Sequence, residues 1–366
     1  MRILIGLSIL FIKPFLICPL IAEHETENVI LIVLDGVRTE ETFHGVDLEL
    51  LNARAKKGPV EETELYQSFW AETPQERREK LMPFFWTVLM KEHGSIAGDR
   101  WNGSRVVLTN EHWFSYPGYS EILTGQAHDD VINSNDPVQN PYPTVLEFFK
   151  SKLEVEKDAI ASFASWSVMD NIAENKPGTI FSNAGYEHYE SIDPDIQLLD
   201  DLQFDTPTPW DTVRHDVYTF RFAMHHLETH HPRALYIVLG ETDDWGHENR
   251  YDRVVQACQR NDGYFRELWD FLQADPQYRD KTTILITTDH GRGTEVDNWV
   301  SHKSGLEGSQ YTWMAVISPD HSLRGAWQDA ETVYMNQIAG TLSAFLGHNY
   351  SEWNADAGKP IARFLR

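Results

Sequence analysis

Short apolar runs, each about as long as one β-strand, constrain the fold of this chain most. Residues 29–36 read VILIVLDG, and similar runs occupy 105–109, 159–164, 234–240, 282–288 and 312–318. Such runs are typical of strands buried on both faces of a parallel sheet. Helical patterns alternate with them, at 74–92, 144–153, 210–230, 250–273 and 330–346. The alternation predicts an α/β fold, with a wide, mostly parallel sheet sandwiched by helices in a single domain.

Residue types that bind metals follow three of these runs. Asp35 ends the first run, Asp243 and His247 follow 234–240, and Asp289 and His290 follow 282–288. In parallel sheets, ligands bind beyond the carboxyl ends of the strands. Carboxylate oxygen and imidazole nitrogen both suit zinc and similar divalent ions, and His302 brings the donors to a number sufficient for two adjacent cations. The pattern points to a metal-dependent hydrolase of phosphate-like esters.

The net charge of the chain limits the kinds of molecule that it is expected to bind. The net charge of -25 argues against a nucleic-acid-binding surface, because Lys and Arg are too few to replace the counterions of a phosphate backbone. We therefore expect a small anionic ester substrate, attracted locally by bound cations. The sequence leaves the oligomeric state open.

The N-terminal segment indicates export. Residues 1–22 combine an early Arg with an apolar run and end in Ala22, which is typical of a secretory signal peptide. Lys13 and Pro14 interrupt the run, so a spanning helix is disfavoured. We expect residues 23–366 to form a periplasmic or secreted domain without a transmembrane segment, with an uncleaved membrane anchor as the alternative.

Ser115 is the candidate nucleophile. It lies in WFSYPGYSEILTG, after the run at 105–109 and before a helical pattern. Free N–H groups at a helix N-terminus favour an anionic group, and a metal ion can activate a hydroxyl. A serine before an aromatic residue and Pro is also a common cap or turn residue. Taken alone, the position of Asp35 also fits a simple turn residue. The position of His302 also fits an exposed histidine in a loop.

The order of the motifs resembles that of the alkaline phosphatase superfamily, particularly its nucleotide pyrophosphatase/phosphodiesterase branch. The resemblance rests on Asp35, Ser115 in SYPGYSEILTG, Asp243-x-x-Gly246-His247, Asp289-His290-Gly291 and His302. It implies that one ion is held by Asp243, His247 and His302, and the other by Asp35, Ser115, Asp289 and His290. The implied cofactors are two divalent ions, zinc first, with manganese or iron as alternatives. The implied activity is hydrolysis of phosphate monoesters or diesters by a metal-bound Ser115 nucleophile.

The chain departs from the family pattern at informative positions. The diesterase branch usually has Thr as nucleophile, whereas a Ser is closer to the monoesterases. The Glu that those monoesterases use for a third metal is Val238 here, which disfavours a third ion. Sulfatases of the superfamily need x-Pro-x-Arg after the nucleophile, and Tyr119 replaces that Arg. A sulfatase, a phosphonate hydrolase or a non-catalytic metal-binding relative remain the alternatives.

Substrate contacts are less well defined by the sequence. Asn133 and Asn135 resemble the region where the diesterase branch binds a phosphate oxygen, although turn residues fit the same pattern. Arg292 is a candidate for bidentate oxyanion binding, with a surface arginine as the alternative. An insert at 43–104 is a candidate for substrate specificity. Its aromatic residues, which suit either a core or a pocket, are Trp70, Phe84, Phe85, Trp86 and Trp101.

Overall fold

The computed structural model describes residues 24–55 and 58–366. The predicted signal peptide at 1–22 lies outside these residues. The strands are β1 Asn28–Leu34, β2 Gly94–Ala97, β3 Arg105–Val107, β4 Ile160–Ala164, β5 Phe181–Ala184, β6 Ala234–Leu239, β7 Thr282–Thr287, β8 Tyr311–Thr312, β9 Met314–Ile317, β10 Gly325–Ala326 and β11 Thr332–Tyr334.

Helices connect many of these strands. The α-helices are α1 Thr39–His44, α2 Leu48–Arg54, α3 Glu64–Phe69, α4 Pro74–Leu81, α5 Ser115–Thr124, α6 Val145–Leu153, α7 Met169–Ile172, α8 Pro194–Asp205, α9 Asp216–His230, α10 Glu241–His247, α11 Tyr251–Ala274 and α12 Ile338–Phe345, and a π-helix spans Phe85–His93. Among the described residues, no helix is both long and apolar enough to cross a membrane.

One eight-stranded sheet organises the molecule, in the order β10-β2-β9-β7-β1-β6-β4-β5. The strands from β7 to β5 pair in parallel, and β9 runs antiparallel to both of its neighbours. The prediction of a wide, mostly parallel sheet is therefore confirmed. Neighbouring β7, β1 and β6 are the strands that the metal-ligand residue types follow.

Both faces of this sheet are covered. Ile30, Ile32 and Leu34 of β1 pack into one apolar core, whereas Val29, Leu31 and Val33 pack into another on the opposite face. Successive strand residues point to opposite faces, so a continuous apolar run is what a doubly covered strand requires. This explains why the run at 29–36 predicted a central strand.

Several local predictions were wrong, including the start of the helix predicted at 210–230, which begins only at Asp216. The run at 105–109 forms β3, but in a separate three-stranded sheet with β8 and β11, because this strand is buried on one side only. The helix predicted at 74–92 ends at Leu81 and the chain continues as a π-helix, since Pro83 cannot extend an α-helix regularly. The helix predicted at 330–346 starts only at Ile338, after β11.

The segment 43–104 contributes mostly to packing. Phe84, Phe85 and Trp86 are buried in one apolar core, and Trp70 packs against it. Trp101 is 44% exposed and stacks on His44 at a centroid distance of 3.8 Å. Most of these aromatic side chains therefore belong to the core and do not line a pocket.

Candidate metal centre

The first group of candidate ligands lies where β1 and β7 end. Strand pairing sets Val33 opposite Thr287, which brings the following residues, Asp35 and Asp289, side by side. The Gly36 N–H donates a hydrogen bond of 3.1 Å to Asp289 Oδ1. The sequence pattern thus places two carboxylates at one edge of the sheet because both strands are parallel and in register.

His290 completes this first group. Its Nε2 lies 3.4 Å from Asp35 Oδ1 and 3.3 Å from Asp289 Oδ2, and the ligand atoms of the three residues lie within 4.8 Å of one another. The His290 Nδ1–H donates to the Gly291 carbonyl at 2.9 Å, which turns Nε2 toward the carboxylates. Asp35 Oδ1 and Asp289 Oδ2 are buried, and among the described residues neither atom has a hydrogen-bond partner. Buried acceptors without partners are what a bound cation would satisfy.

A second group adjoins the first. Asp243, His290 and His302 bring ligand atoms within 4.8 Å of one another. Asp243 and His247 lie one turn apart on α10, and His247 Nε2 is 3.0 Å from Asp243 Oδ2 and 2.9 Å from His302 Nε2. Two nitrogens bound to one zinc ion would be about 3.3 Å apart, so this pair fits a shared ion. His290 stands between the two groups, whereas the family resemblance assigns it to one.

Ser115 faces the same cluster. It is the first residue of α5, it is buried, and its Oγ lies 3.3 Å from His290 Nε2. The Tyr116 N–H donates to Asn135 Oδ1 at 2.9 Å, so Asn135 lies beside the candidate nucleophile. Asn133 is exposed. Of the two candidate asparagines, the structure brings Asn135 to the site.

A strained turn connects Ser115 to His302. Trp113 has a φ of 56°, which is uncommon for a bulky residue, and its carbonyl accepts a 3.4 Å contact from His302 Nδ1. Asn110 Oδ1 accepts the Trp113 N–H at 3.0 Å. Glu121, fully buried on α5, in turn accepts the Asn110 N–H and side-chain amide at 2.9 and 2.8 Å. Sequence reasoning missed these supporting residues.

Arg292 does not contact the cavity beside the cluster. It is only 2% exposed, its guanidinium pairs with Asp243, and its Nε–H donates to the Trp299 carbonyl at 2.9 Å. A side chain on Gly36 or Gly246 would collide with this arrangement, because a Cβ at Gly246 would lie 2.9 Å from Arg292 Cζ. The alternative of a surface arginine is thus wrong, and Arg292 contacts the candidate metal ligand Asp243 and two backbone carbonyls instead.

The cluster carries unbalanced negative charge. Burial and the nearby Asp35 raise the pKa of Asp289 well above its usual range. Burial lowers the pKa of His290, but Asp289 and Asp35 outweigh it and raise that pKa to about 9. Burial opposes ionisation of Asp243, yet Arg292 and the neighbouring histidines hold its pKa well below normal. Divalent cations would offset this charge, and mixed O and N donors suit zinc, manganese or iron.

Tyr119 is engaged with the first group. It is fully buried on α5 and donates a hydrogen bond of 2.7 Å to Asp35 Oδ2. On the same helix, a Cβ at Gly118 would come within 2.4 Å of the Asp289 carbonyl oxygen. The close packing of α5 on the turn after β7 therefore depends on Gly118, and it carries Ser115 and Tyr119 to the cluster.

A cavity of about 570 Å³ opens beside the cluster. It combines candidate ligands with polar and aromatic side chains. Its walls are formed by Phe114, Ser115, Asn135, Trp166, Trp210, Thr212, Val213, Asp243, Asp244, His247, Ser301, His302 and Lys303. The volume and mixed lining suit a small organic ester. The described residues of 43–104 do not line this cavity.

Comparison with known proteins finds similar structures but no similar sequences. No protein-family profile matches the chain, and no curated protein matches it in sequence. The alkaline phosphatase PafA is similar, with a TM-score of 0.58 and 10% identity over 93% of this chain and 99% of that one.

Two further solved structures resemble this chain about as closely as PafA does. The phosphonate monoester hydrolase SpPMH from Silicibacter pomeroyi has a TM-score of 0.54 and 12% identity, covering 93% of this chain and 76% of that one. The 2-O GAG sulfatase BT1596 has a TM-score of 0.55 and 13% identity, covering 93% and 74%. The chain therefore has the fold of the alkaline phosphatase superfamily, as its motif order predicts.

Proposed function

We propose that this protein is a two-metal-dependent hydrolase of phosphate esters, either monoesters or diesters, with Ser115 as nucleophile. The observation that carries the proposal is the position of Ser115 Oγ, 3.3 Å from His290 Nε2, because His290 belongs to both groups of candidate ligands. A hydroxyl beside two cation sites at the mouth of a cavity is suited to attack on an anionic ester.

The family resemblance divides the candidate ligands into two sets. Asp35, Ser115, Asp289 and His290 are the proposed ligands of one ion, and Asp243, His247 and His302 are those of the other. When bound, the two ions, zinc first, would lower the pKa of the Ser115 hydroxyl and offset the charge of the phosphoryl oxygens. Arg292 would support Asp243 through their ion pair instead of touching the substrate.

The residues of the chain then perform a two-step displacement. Ser115 Oγ forms a bond to phosphorus as the bond from phosphorus to the leaving-group oxygen breaks, which gives a phosphoserine. Water next attacks phosphorus, breaks the bond to Ser115 Oγ and releases phosphate or a monoester, with net retention of configuration. Asn135 is the proposed donor to a phosphoryl oxygen, because Tyr116 N–H fixes its carbonyl and leaves its amide N–H groups for a ligand.

Sulfate and phosphonate esters are the competing substrates, because enzymes named for both have this fold. Sulfatases of the superfamily oxidise the nucleophile and need an Arg where this chain has Tyr119. The Tyr119 hydroxyl is instead bound to Asp35. We therefore propose that Ser115 stays unmodified and that phosphate esters react fastest. Export through residues 1–22 is proposed on the sequence pattern alone.

The test is a hydrolysis screen of metal-loaded protein with 4-nitrophenyl esters of phosphate, a phosphate diester, phosphonate and sulfate. We expect about two zinc-like ions per chain by elemental analysis, and faster turnover of a phosphate ester than of the sulfate. Absence of bound metal together with no activation by zinc or manganese would refute the two-metal site. Formylglycine at position 115 in peptide mass spectra, or fastest turnover of the sulfate, would establish a sulfatase instead.

A further inference from the structure

Helix α10, which carries the candidate ligands Asp243 and His247, has no cap of its own. It has only seven residues, and a helix so short has little stability in isolation. The direction in which its side chains point is therefore set by its contacts with the rest of the protein. Its N-cap residue, Gly240, has no side chain that could accept the first N–H groups of the helix.

Asp216, the first residue of α9, supplies the missing acceptor. Its side chain is buried, its Oδ1 accepts the Gly240 N–H at 2.7 Å, and its Oδ2 accepts the Glu241 N–H at 3.2 Å. The same Oδ1 accepts the hydroxyl of Ser165 at 2.6 Å, and Ser165 directly follows β4. One carboxylate thus joins the residues that follow β4 and β6 to the start of α9.

Glu241 does the same for α9. The side chain of His215, the N-cap residue of α9, makes no capping hydrogen bond, and the Asp216 N–H donates to Glu241 Oε1 at 3.2 Å instead. Glu241 Oε2 accepts the Trp245 Nε1–H at 3.3 Å and pairs with Arg260 of α11. The first residues of α9 and α10 therefore cap each other's helix, and Arg260 ties this pair to α11.

Two buried carboxylates side by side are a costly way to cap two helices. Burial and the nearby Glu241 raise the pKa of Asp216 to about 7. Arg260 and His215, whose Nδ1 lies 3.1 Å from Glu241 Oε1, offset only part of this cost. A Ser or Thr at an N-cap would accept an N–H group without burying a charge. What the carboxylate pair adds is a fixed position of α10 relative to two strands.

We propose that Asp216 is a positioning residue of the metal centre, which fixes the direction in which Asp243 and His247 point. Its hydrogen bonds go to Ser165 and to backbone N–H groups, so it acts on the candidate ligands through the backbone of α10. The inference rests on the proposed function through one cation site, the one that Asp243, His247 and His302 would form.

Zinc affinity of Asp216→Asn tests the proposal. The variant keeps the size of the side chain, but its amide nitrogen cannot accept, so one of the two backbone hydrogen bonds is lost. Competition titration with zinc and a chromophoric chelator should resolve two ions in the unmodified protein. We expect the variant to bind one of these ions about tenfold more weakly and the other with unchanged affinity, because only one set of candidate ligands lies on α10.

The matched control is Asp262→Asn. Asp262 is buried on α11 and also accepts two consecutive backbone N–H groups, those of Phe84 and Phe85, at 3.0 and 2.7 Å. This variant should destabilise the protein in denaturant unfolding but retain both zinc affinities, because the π-helix that it caps carries no candidate ligand. Unchanged zinc affinities in Asp216→Asn, or an equal loss in both variants, overturn the proposal.

A second background separates positioning from a general loss of structure. His247→Ala removes one ligand of the ion that α10 would hold and leaves the set Asp35, Asp289 and His290 intact. In this background, Asp216→Asn should not weaken binding of the remaining ion. A further tenfold loss there would mean that Asp216 supports the whole fold and would overturn its assignment to one site.

Amide hydrogen exchange gives a readout that needs neither metal nor turnover. In chelator-treated protein, Asp216→Asn should speed exchange at 241–247 about tenfold or more, whereas Asp262→Asn should not. If exchange changes in this way but the unmodified protein binds no zinc, the proposed function fails and Asp216 still positions α10. If the protein binds two ions and hydrolyses phosphate esters while Asp216→Asn changes neither exchange nor zinc affinity, the positioning role fails and the proposed function stands.

Discussion

The hydroxyl of Tyr119 offers a direct test of how the first ligand group is held. Tyr119→Phe removes the 2.7 Å hydrogen bond to Asp35 Oδ2 and leaves the shape of the buried ring unchanged. Within residues 24–55 and 58–366, Asp35 Oδ1 already has no hydrogen-bond partner, so the variant leaves both oxygens of a buried carboxylate without one there. The free carboxylate can then rotate out of the orientation in which it would bind a metal ion.

The size of the effect follows from the strength of that bond. A hydrogen bond to a charged group contributes about 1.5–3 kcal/mol, and about 1.4 kcal/mol corresponds to a tenfold change in binding. The metal-free protein also makes this bond, so its full value is the upper limit. We therefore expect zinc affinity to fall roughly tenfold and at most about 100-fold, which is the range common for residues that orient metal ligands.

Competition titration against a chromophoric chelator measures this affinity without reference to activity. Tyr116→Phe is the matched control, because it lies on the same helix and its hydroxyl donates to the neutral Val138 carbonyl at 2.6 Å. Its zinc affinity should match that of the unmodified protein. Unchanged affinity in Tyr119→Phe, or an equal loss in both variants, would refute the idea that Tyr119 orients a metal ligand.

Three further predictions concern the nucleophile, the charge of the cluster and the turn behind it. Ser115→Ala should lower kcat by about a thousandfold or more while retaining most bound metal, and a phosphorylated Ser115 peptide should be trapped only from the unmodified protein. His290 has a pKa raised to about 9 in the metal-free protein, so its stabilising contribution is complete below about pH 6.5 and is lost as the pH rises through 9. Thermal unfolding with chelator should therefore show a decline over this range that zinc suppresses. Glu121→Gln should destabilise the protein by about 2 kcal/mol or more in denaturant unfolding, because an amide donor would face the donors of Asn110.

The strands that carry the site could be predicted because they are buried on both faces. Runs at 29–36, 234–240 and 282–288 match β1, β6 and β7 to within a residue or two. The strands β2 and β5 were missed, since GSIA and FSNA have too few apolar residues to form a pattern. Their pairing with longer neighbours stabilises them as strands, and that information is not local.

The residue types of the cluster could be predicted for the same reason, whereas their surroundings could not. A carboxylate or imidazole directly after a buried strand must lie at the sheet edge. The positions of Trp166 and Trp210 instead depend on pairing between 165–167 and 212–214, which are distant in sequence. The ion pair that buries Arg292 against Asp243 likewise depends on space left by two glycines.

The turn before α5 ties together parts of the site that no spacing in the sequence connects. Trp113 and His302 are 189 positions apart, yet the carbonyl of one faces the ring of the other. Because the peptide unit that orients His302 lies two residues before Ser115, a shift in this turn would move a candidate nucleophile and a candidate ligand together. The left-handed conformation of Trp113 persists because Asn110 and Glu121 bind the backbone around it. The geometry of the site therefore depends on buried hydrogen bonds behind it as much as on the ligands themselves.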